Sequence, residues 1–464
     1  MKTAWFNRLA NGSSKYLFIF SLCLLSLLYG VEAGNREIFP QPQLREAKSA
    51  VKALVEVFGE HDEIDKDSTI ESSTGPTAPT VKNYAGLDDG ALILVSGGEG
   101  YLPEYNSQGG CLAWLMDRKG EIKHIWKLDP NLWDGLENVR TIPGVSKIYP
   151  FGIQMLPDGG LIATFQGIDT WQFAIGMVRL DKDSNVIWKK ENFAHHYFIV
   201  TPDQKIMTPT LRILEGPQSI GTTRGEIHGE NDKVFEDLVT VMSLDGEILE
   251  EISMLDVVHN SGLIGLYQGA YVRRPDVDTS DPLHLNFVEQ VGDRIAATSD
   301  WLKADDLLVS FRSINTVAII DRSTLRIKWR MSGKTLRQHS PRLYNTDHII
   351  IFDNYGGDKA LGGTRLAKIG LKNEEVETIF PTLDNPLDKK IFSESCGYLD
   401  LNRDKSSVLM ALTRMDMLVE IELESGKVLW EYDFADKIKP KMPLFMAKYC
   451  YDVAFEMNQV KEAE

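Results

Sequence analysis

The chain has 464 residues, 43% of them apolar and 25% charged, with nine tryptophans and a net charge of −17. That mixture belongs to a globular protein with a large core and excludes a disordered chain; the acidic balance excludes nucleic-acid backbones as partners, so any anion site must be built locally from a few cationic groups. The length fits two or three average domains, or one large all-β barrel or propeller.

At the N-terminus, Lys2, Arg8 and Lys15 precede the apolar run Tyr16 to Val31 and the small residues of Glu32-Ala33-Gly34. A basic start, an apolar middle and small residues at the end predict a secretory signal over residues 1–33, cleaved after Ala33. An uncleaved membrane anchor is the other reading, although the run falls short of the ~20 residues a span needs. Both place the bulk of the chain outside the cytoplasm, exported to the periplasm as a soluble or tethered protein. Residues 34–85 read as a helix and a linker. In QPQLREAKSAVKALVEVFGEH, Leu44, Ala47, Val51, Leu54, Val55 and Phe58 recur at helical spacing over residues 41–61. This helix either packs on the main domain or serves as a stalk or a homo-oligomer contact. The acidic, Ser/Thr/Pro-rich DEIDKDSTIESSTGPTAPTVKN follows as linker.

From residue 86 to 464 the helical period gives way to strand and turn. FGIQMLPDGGLIATFQ, from Phe151, is an apolar strand, a Pro-Asp-Gly turn and a second strand; MVRLDKDSNVIW, from Met177, is a strand pair across an acidic turn. Such pairs group into units at about 92–128, 151–190, 196–254, 284–331, 338–380 and 396–432. Units of this size predict an all-β, six-bladed propeller, with five or seven blades left open. The tail from Met442 (MPLFMAKYCYDVAF) can supply a closing strand to the first blade. Of the four cysteines, Cys23 lies in the apolar segment, so Cys111, Cys396 and Cys450 allow at most one disulfide, with the partners open.

Histidines mark the candidate site. His61, His124 and His348 read as surface or satisfied core residues, with His124 alternating outward on its hairpin, and His228 and His259 as rim contacts. His195, His196, His284 and His339 instead stand just before the first apolar run of consecutive units. Propeller closure aims equivalent positions at the axis. Arg312, in LLVSFRSINTVAIID, faces away from Val309 and Phe311 by alternation. Histidines with an arginine suit an oxyanion better than a metal: the guanidinium is a permanent fork for oxyanions, and imidazole can donate, accept or attack near neutral pH. Three histidines could hold zinc, but Arg312 would repel the cation, so no metal is expected.

The segments Asp281-Pro-Leu-His284-Leu-Asn286, Ser310-Phe-Arg312, Asn315 to Asp321, Lys328 to Gly333, Gln338-His339 and Phe352-Asp353-Asn354 resemble, in order and spacing, the bacterial arylsulfotransferases, which use an aryl sulfate in place of a nucleotide sulfate. The resemblance is dense over residues 281–354 and looser on either side. It implies a six-bladed propeller, export, no cofactor, a phenolic sulfate donor and a phenolic acceptor. His339 matches the family's transiently sulfated nucleophile, His284 and Arg312 match the groups that hold the sulfuryl oxygens, and His196 matches the remaining active-site histidine. His195, Asn286 and Asn354 are expected at the substrate, and Trp171, Phe173, Tyr267 and Tyr271 are candidate walls for the phenol. The chain departs from the family in carrying Tyr197 and Ser340 where an acid is common, and a helix and linker where larger members have an N-terminal β-domain. A sulfate-ester hydrolase with the same pocket, or a non-catalytic propeller scaffold, are the competing readings.

Overall fold

Alternating apolar strands with tight turns cannot bury their edges singly, and radial closure solves this. A computed structural model of the chain describes residues 20–30, 79–99, 101–102, 104–107, 109–141, 147–222, 225–229, 232–270, 280–434 and 444–457. The chain divides between Gly75 and Pro76 into two units. In the first, residues 20–30 are helical, with Phe20, Leu22, Leu25 and Leu27 exposed. The helix expected over residues 41–61, and most of the linker, lie outside the described residues. Among the described residues no helix is long and apolar enough to cross a membrane.

The second unit is a six-bladed propeller of antiparallel sheets. From the axis outward, blade 1 is Ala447–Cys450, Leu92–Gly98, Cys111–Met116 and Ile122–Lys127; blade 2 is Lys147–Met155, Leu161–Ile168, Ala174–Leu180 and Val186–Lys190. Blade 3 is Ile199–Val200, Lys205–Glu215, Lys233–Ser243 and Ile248–Ser253; blade 4 is Leu285–Gln290, Leu307–Phe311, Thr316–Asp321 and Arg326–Ser332. Blade 5 is His339–Leu343, His348–Asp353, Arg365–Gly370 and Val376–Phe380; blade 6 is Tyr398–Leu401, Ser407–Leu412, Met417–Glu422 and Val428–Asp433. The tail closes the ring as its sequence suggested: Ala447–Cys450 pairs with the first strand of blade 1, Leu92 opposite Cys450. One strand is new. Thr80–Asn83, read above as linker, pairs with Val428–Asp433 at the outer edge of blade 6; four residues with one apolar side chain carry no alternation to read.

Side chains of the inner strands fill the axis in layers. The middle layer is aromatic: Phe445 stacks on Phe151 and Tyr149 at 4.5 and 4.8 Å between centroids, and Tyr197 lies 5.0 Å from Phe151 and 4.7 Å from Tyr398. Below it, five inner strands each give one polar side chain. Arg342 lies 3.4 Å from Glu289 and 3.8 Å from Asp400, with its guanidinium over the Phe287 ring. Lys448 donates to Gln154. Glu289 and Asp400 also accept backbone N–H groups, of Leu343 and Tyr449, at 2.9 Å each. This belt ties blades 1, 2, 4, 5 and 6 together across the axis.

Candidate active site

Above the aromatic layer, the starts of the inner strands are each clamped by the preceding blade. The His196 carbonyl accepts from Thr164 Oγ1 of blade 2 at 2.7 Å, and that oxygen accepts the Gly152 N–H at 2.8 Å. A Cβ at Gly152 would stand 2.6 Å from the His196 oxygen, so only glycine admits this approach. In blade 4, Leu285 N–H donates to Asp237 Oδ1 of blade 3 at 3.0 Å, and the His284 carbonyl accepts from Arg312 N–H at 3.0 Å. In blade 5, the Gln338 carbonyl accepts from Asn286 Nδ2 at 2.9 Å, and the Gln338 amide donates to Ser310 Oγ and to the Phe311 and Thr316 carbonyls at 3.1 to 3.2 Å. Ser340 Oγ accepts from Leu399 N–H of blade 6 at 3.1 Å.

These clamps hold strained backbone. His196, His284 and Ser340 have φ of 54°, 55° and 47°, in the left-handed region that costs a non-glycine residue ~1–3 kcal/mol and persists where the surroundings over-determine it. The consequence is convergence. The His196 ring centroid lies 4.9 Å from that of His284 and 6.2 Å from that of His339, and Phe173 packs 5.2 Å from His284 and 5.8 Å from His196. Arg312, half-buried in the turn after Leu307–Phe311, is close enough for its charge to act on both His196 and His339.

Hydrogen bonds decide which nitrogen of each ring carries the proton. Asn354 Nδ2 donates to the Ser393 and Cys396 carbonyls, both at 2.8 Å, which turns Oδ1 toward His339 Nδ1 at 2.8 Å. An amide oxygen only accepts, so Nδ1 of His339 holds the proton and Nε2 is the lone-pair nitrogen. Burial, followed by the charge of Arg312, pushes the His339 pKa down to about 3. His196 is the complement. Its Nδ1 faces His195 Nδ1 at 2.7 Å and Gln166 Nε2 at 3.1 Å; accepting there leaves the proton on Nε2, a donor. Burial and then the neighbouring His284 charge hold its pKa well below the ordinary range. His284 Nδ1 bonds the Asp281 carboxylate. The site thus offers one neutral lone-pair imidazole, one N–H donor, one histidine with a carboxylate behind it, and one guanidinium. That is a nucleophile among oxyanion donors. Among the described residues, no three His, Cys, Asp or Glu side chains are arranged to hold a metal ion.

Residues 152–435, which include all four converging side chains, match the model of the arylsulfotransferase (ASST) family. The chain belongs to the arylsulfotransferase family. Family membership and the propeller fold support a function of arylsulfotransferase type. Comparison with curated proteins gave no match. Similar solved structures include a protein of unknown function from Bacteroides caccae at 10% identity, covering 78% of this chain and 100% of that one with a TM-score of 0.46. Virginiamycin B lyase from Staphylococcus aureus, in a catalytically inactive form with quinupristin, is 11% identical over 66% of this chain and 93% of that one, with a TM-score of 0.35. TolB from Acinetobacter baumannii is 10% identical over 78% of this chain and 66% of that one, with a TM-score of 0.39.

In this member of the family His196, His284, Arg312 and His339 come together, and the three residues expected at the substrate are buried around them. His195 is fully buried behind His196. Asn286 and Asn354 are fully buried, with their amide groups donating to protein carbonyls, so they position Gln338 and His339. Of the candidate walls, Phe173 borders the histidines. Tyr267 is buried in a small cavity lined also by Asp237 and Leu283, and the Trp171 side chain and Tyr271 lie outside the described residues. Gln166, Asp237 and the aromatic layer under the histidines escaped sequence reading, because a single polar residue in an apolar strand looks like any other interior hydrogen-bonding group. His124 differs from expectation: it is buried 4.4 Å from Trp126 and 5.0 Å from Phe455, since the tail covers its hairpin. His348 is half-buried, His228 and His259 are exposed, and His61 lies outside the described residues. All four cysteines are free thiols.

The buried histidines set an acid limit. His195 and His339 have folded pKa values of about 3, against about 6.5 for a free imidazole. Between these values the unfolded chain binds protons that the folded chain does not, so their contribution is fully present above about pH 6.5 and is lost as pH falls toward 3. Melting temperature is expected to drop steadily from about pH 7 to about pH 4. In His195→Asn, which deletes one titrating group, the slope of that curve should be shallower; an unchanged slope would show that other groups set the limit.

Proposed function

We propose that the chain is an exported aryl-sulfate sulfotransferase that moves a sulfuryl group from a phenolic sulfate ester to a phenolic acceptor by a ping-pong route through a sulfo-histidine at His339. The observation that carries this reading is the Asn354 amide, pinned by two carbonyls, which leaves His339 Nε2 as the lone-pair nitrogen. In the first half-reaction Nε2 attacks sulfur, the S–N bond forms, and the S–O bond to the aryl group breaks with its electron pair leaving on the phenolic oxygen. In the second, the acceptor oxygen attacks the same sulfur and the S–N pair returns to His339. Charge builds on the bridging and sulfuryl oxygens, where Arg312, His284 and the Nε2–H of His196 act. The apolar face of the pocket is Phe173, with Phe151 beneath at 5.1 Å from the His196 ring.

Export rests on the basic residues before Tyr16 and on the exposed apolar helix at residues 20–30. N-terminal sequencing of the protein from fractionated cells tests it: a mature chain beginning at Gly34 supports a cleaved signal, and an intact chain in the membrane fraction supports a tether. The activity is tested with p-nitrophenyl sulfate, with and without a second phenol. Nitrophenol release that depends on the acceptor supports transfer, release without it makes the enzyme a hydrolase, and no release from several aryl sulfates leaves the proposal without an activity. Arg312→Lys is expected to lower kcat by ~10²-fold, because a point ammonium cannot reproduce the planar fork at the sulfuryl oxygens; a rate within a few-fold of the parent would remove Arg312 from that role.

A further inference from the structure

Behind His284 stand two carboxylates from different blades, and they are not equivalent. Asp281, three residues before it, places Oδ2 on His284 Nδ1, while among the described residues its buried Oδ1 has no hydrogen-bond partner. Asp237, on the third strand of blade 3, uses Oδ1 to accept the Leu285 N–H at 3.0 Å, and the His284 backbone N–H also acts on its carboxylate. Both are buried, and the charge of Asp281 acts against ionisation of Asp237. Burial works against the charge on Asp281, but His284, His195 and Arg312 together outweigh it and hold its pKa below the usual value. Burial and then the Asp281 charge drive Asp237 the other way, well above the usual range. Asp281 is thereby held toward its anion and Asp237 toward the neutral acid.

The phenol chemistry needs a proton carrier. A poor leaving phenolate departs only if its oxygen is protonated as the S–O bond breaks, and an acceptor phenol must lose its proton as its oxygen bonds sulfur. His339 is occupied as nucleophile, and His196 has its Nδ1 turned to His195 and Gln166. Of the three converging histidines, His284 has the carboxylate behind it. We propose that Asp281 makes His284 the proton carrier of the reaction: the His284 Nε2 proton passes to the leaving aryl oxygen in the first half-reaction, and Nε2 takes a proton back from the acceptor phenol in the second, while Asp237 stays neutral and anchors the strand. The balance closes, since the proton given to the departing phenol is replaced by the one lost from the incoming phenol. His284 is catalytic here and Asp281 positions it and balances its charge. This inference rests on the sulfotransferase reading above.

The experiment measures transfer from two donors, p-nitrophenyl sulfate, whose phenolate leaves readily, and phenyl sulfate, whose phenolate leaves poorly. In Asp281→Asn and His284→Gln the rate with phenyl sulfate is expected to fall by ~10²-fold or more, and with p-nitrophenyl sulfate by far less, because only the poor leaving group depends on the proton. In Asp237→Asn, which keeps an accepting oxygen and removes an acid already neutral, the ratio of the two rates should stay that of the parent. Equal losses with both donors in Asp281→Asn and His284→Gln, with thermal melts showing folded protein, would overturn the proton-carrier role. A changed ratio in Asp237→Asn would overturn the assignment of the neutral acid. If the parent enzyme transfers from neither donor, it is the sulfotransferase mechanism itself that fails.

Discussion

Replacing His339 by alanine is expected to abolish sulfuryl transfer, with kcat falling by ~10⁴ to 10⁶-fold, the scale on which losing a covalent nucleophile acts. His196 cannot take its place: its Nδ1 lies against His195 and Gln166, which leaves its Nε2 protonated. Intact mass after mixing with donor alone should show one added sulfuryl group on the parent and none on His339→Ala. A variant that keeps most of its activity, or an adduct mapped to another residue, would mean that the covalent route does not run through His339.

The second large effect lies below the site and concerns stability. In Arg342→Ala the Glu289 and Asp400 carboxylates, 83% and 92% covered, lose the cation that stands between them. Breaking a buried ion pair by removing one partner costs about 3–5 kcal/mol, mostly from the charge left unpaired. Denaturant unfolding should register a loss of that size. Adding Glu289→Gln and Asp400→Asn to the variant should restore much of it, since the repulsion is then gone. A single variant within 1 kcal/mol of the parent, on the scale of an exposed pair, would show that the belt does not hold the blades together.

Much of the architecture was readable because a blade is local. Strand alternation and turns such as Pro157-Asp158-Gly159 act between residues close in sequence, so six units and a closing tail strand could be counted from the chain. The failures have a physical pattern too. Thr80–Asn83 joins a blade whose partner strand is more than three hundred residues away, and His124 is buried by Phe455, from the tail. A pairing or a contact at that separation leaves no mark on the local period.

The same division runs through the site. The sequence by itself determined that histidines open consecutive units, because hairpin periodicity places those positions and closure of the ring brings them together; Arg312, read as part of the second strand of its unit, lies in the turn just past it. Only the tertiary structure decided what each can do. Proton placement on His339 depends on Asn354 being held by carbonyls of Ser393 and Cys396, and the opposite pKa shifts of Asp237 and Asp281 depend on two blades meeting. Tautomer and charge are set by neighbours in space at hydrogen-bond distance, and in a propeller those neighbours come from the next blade.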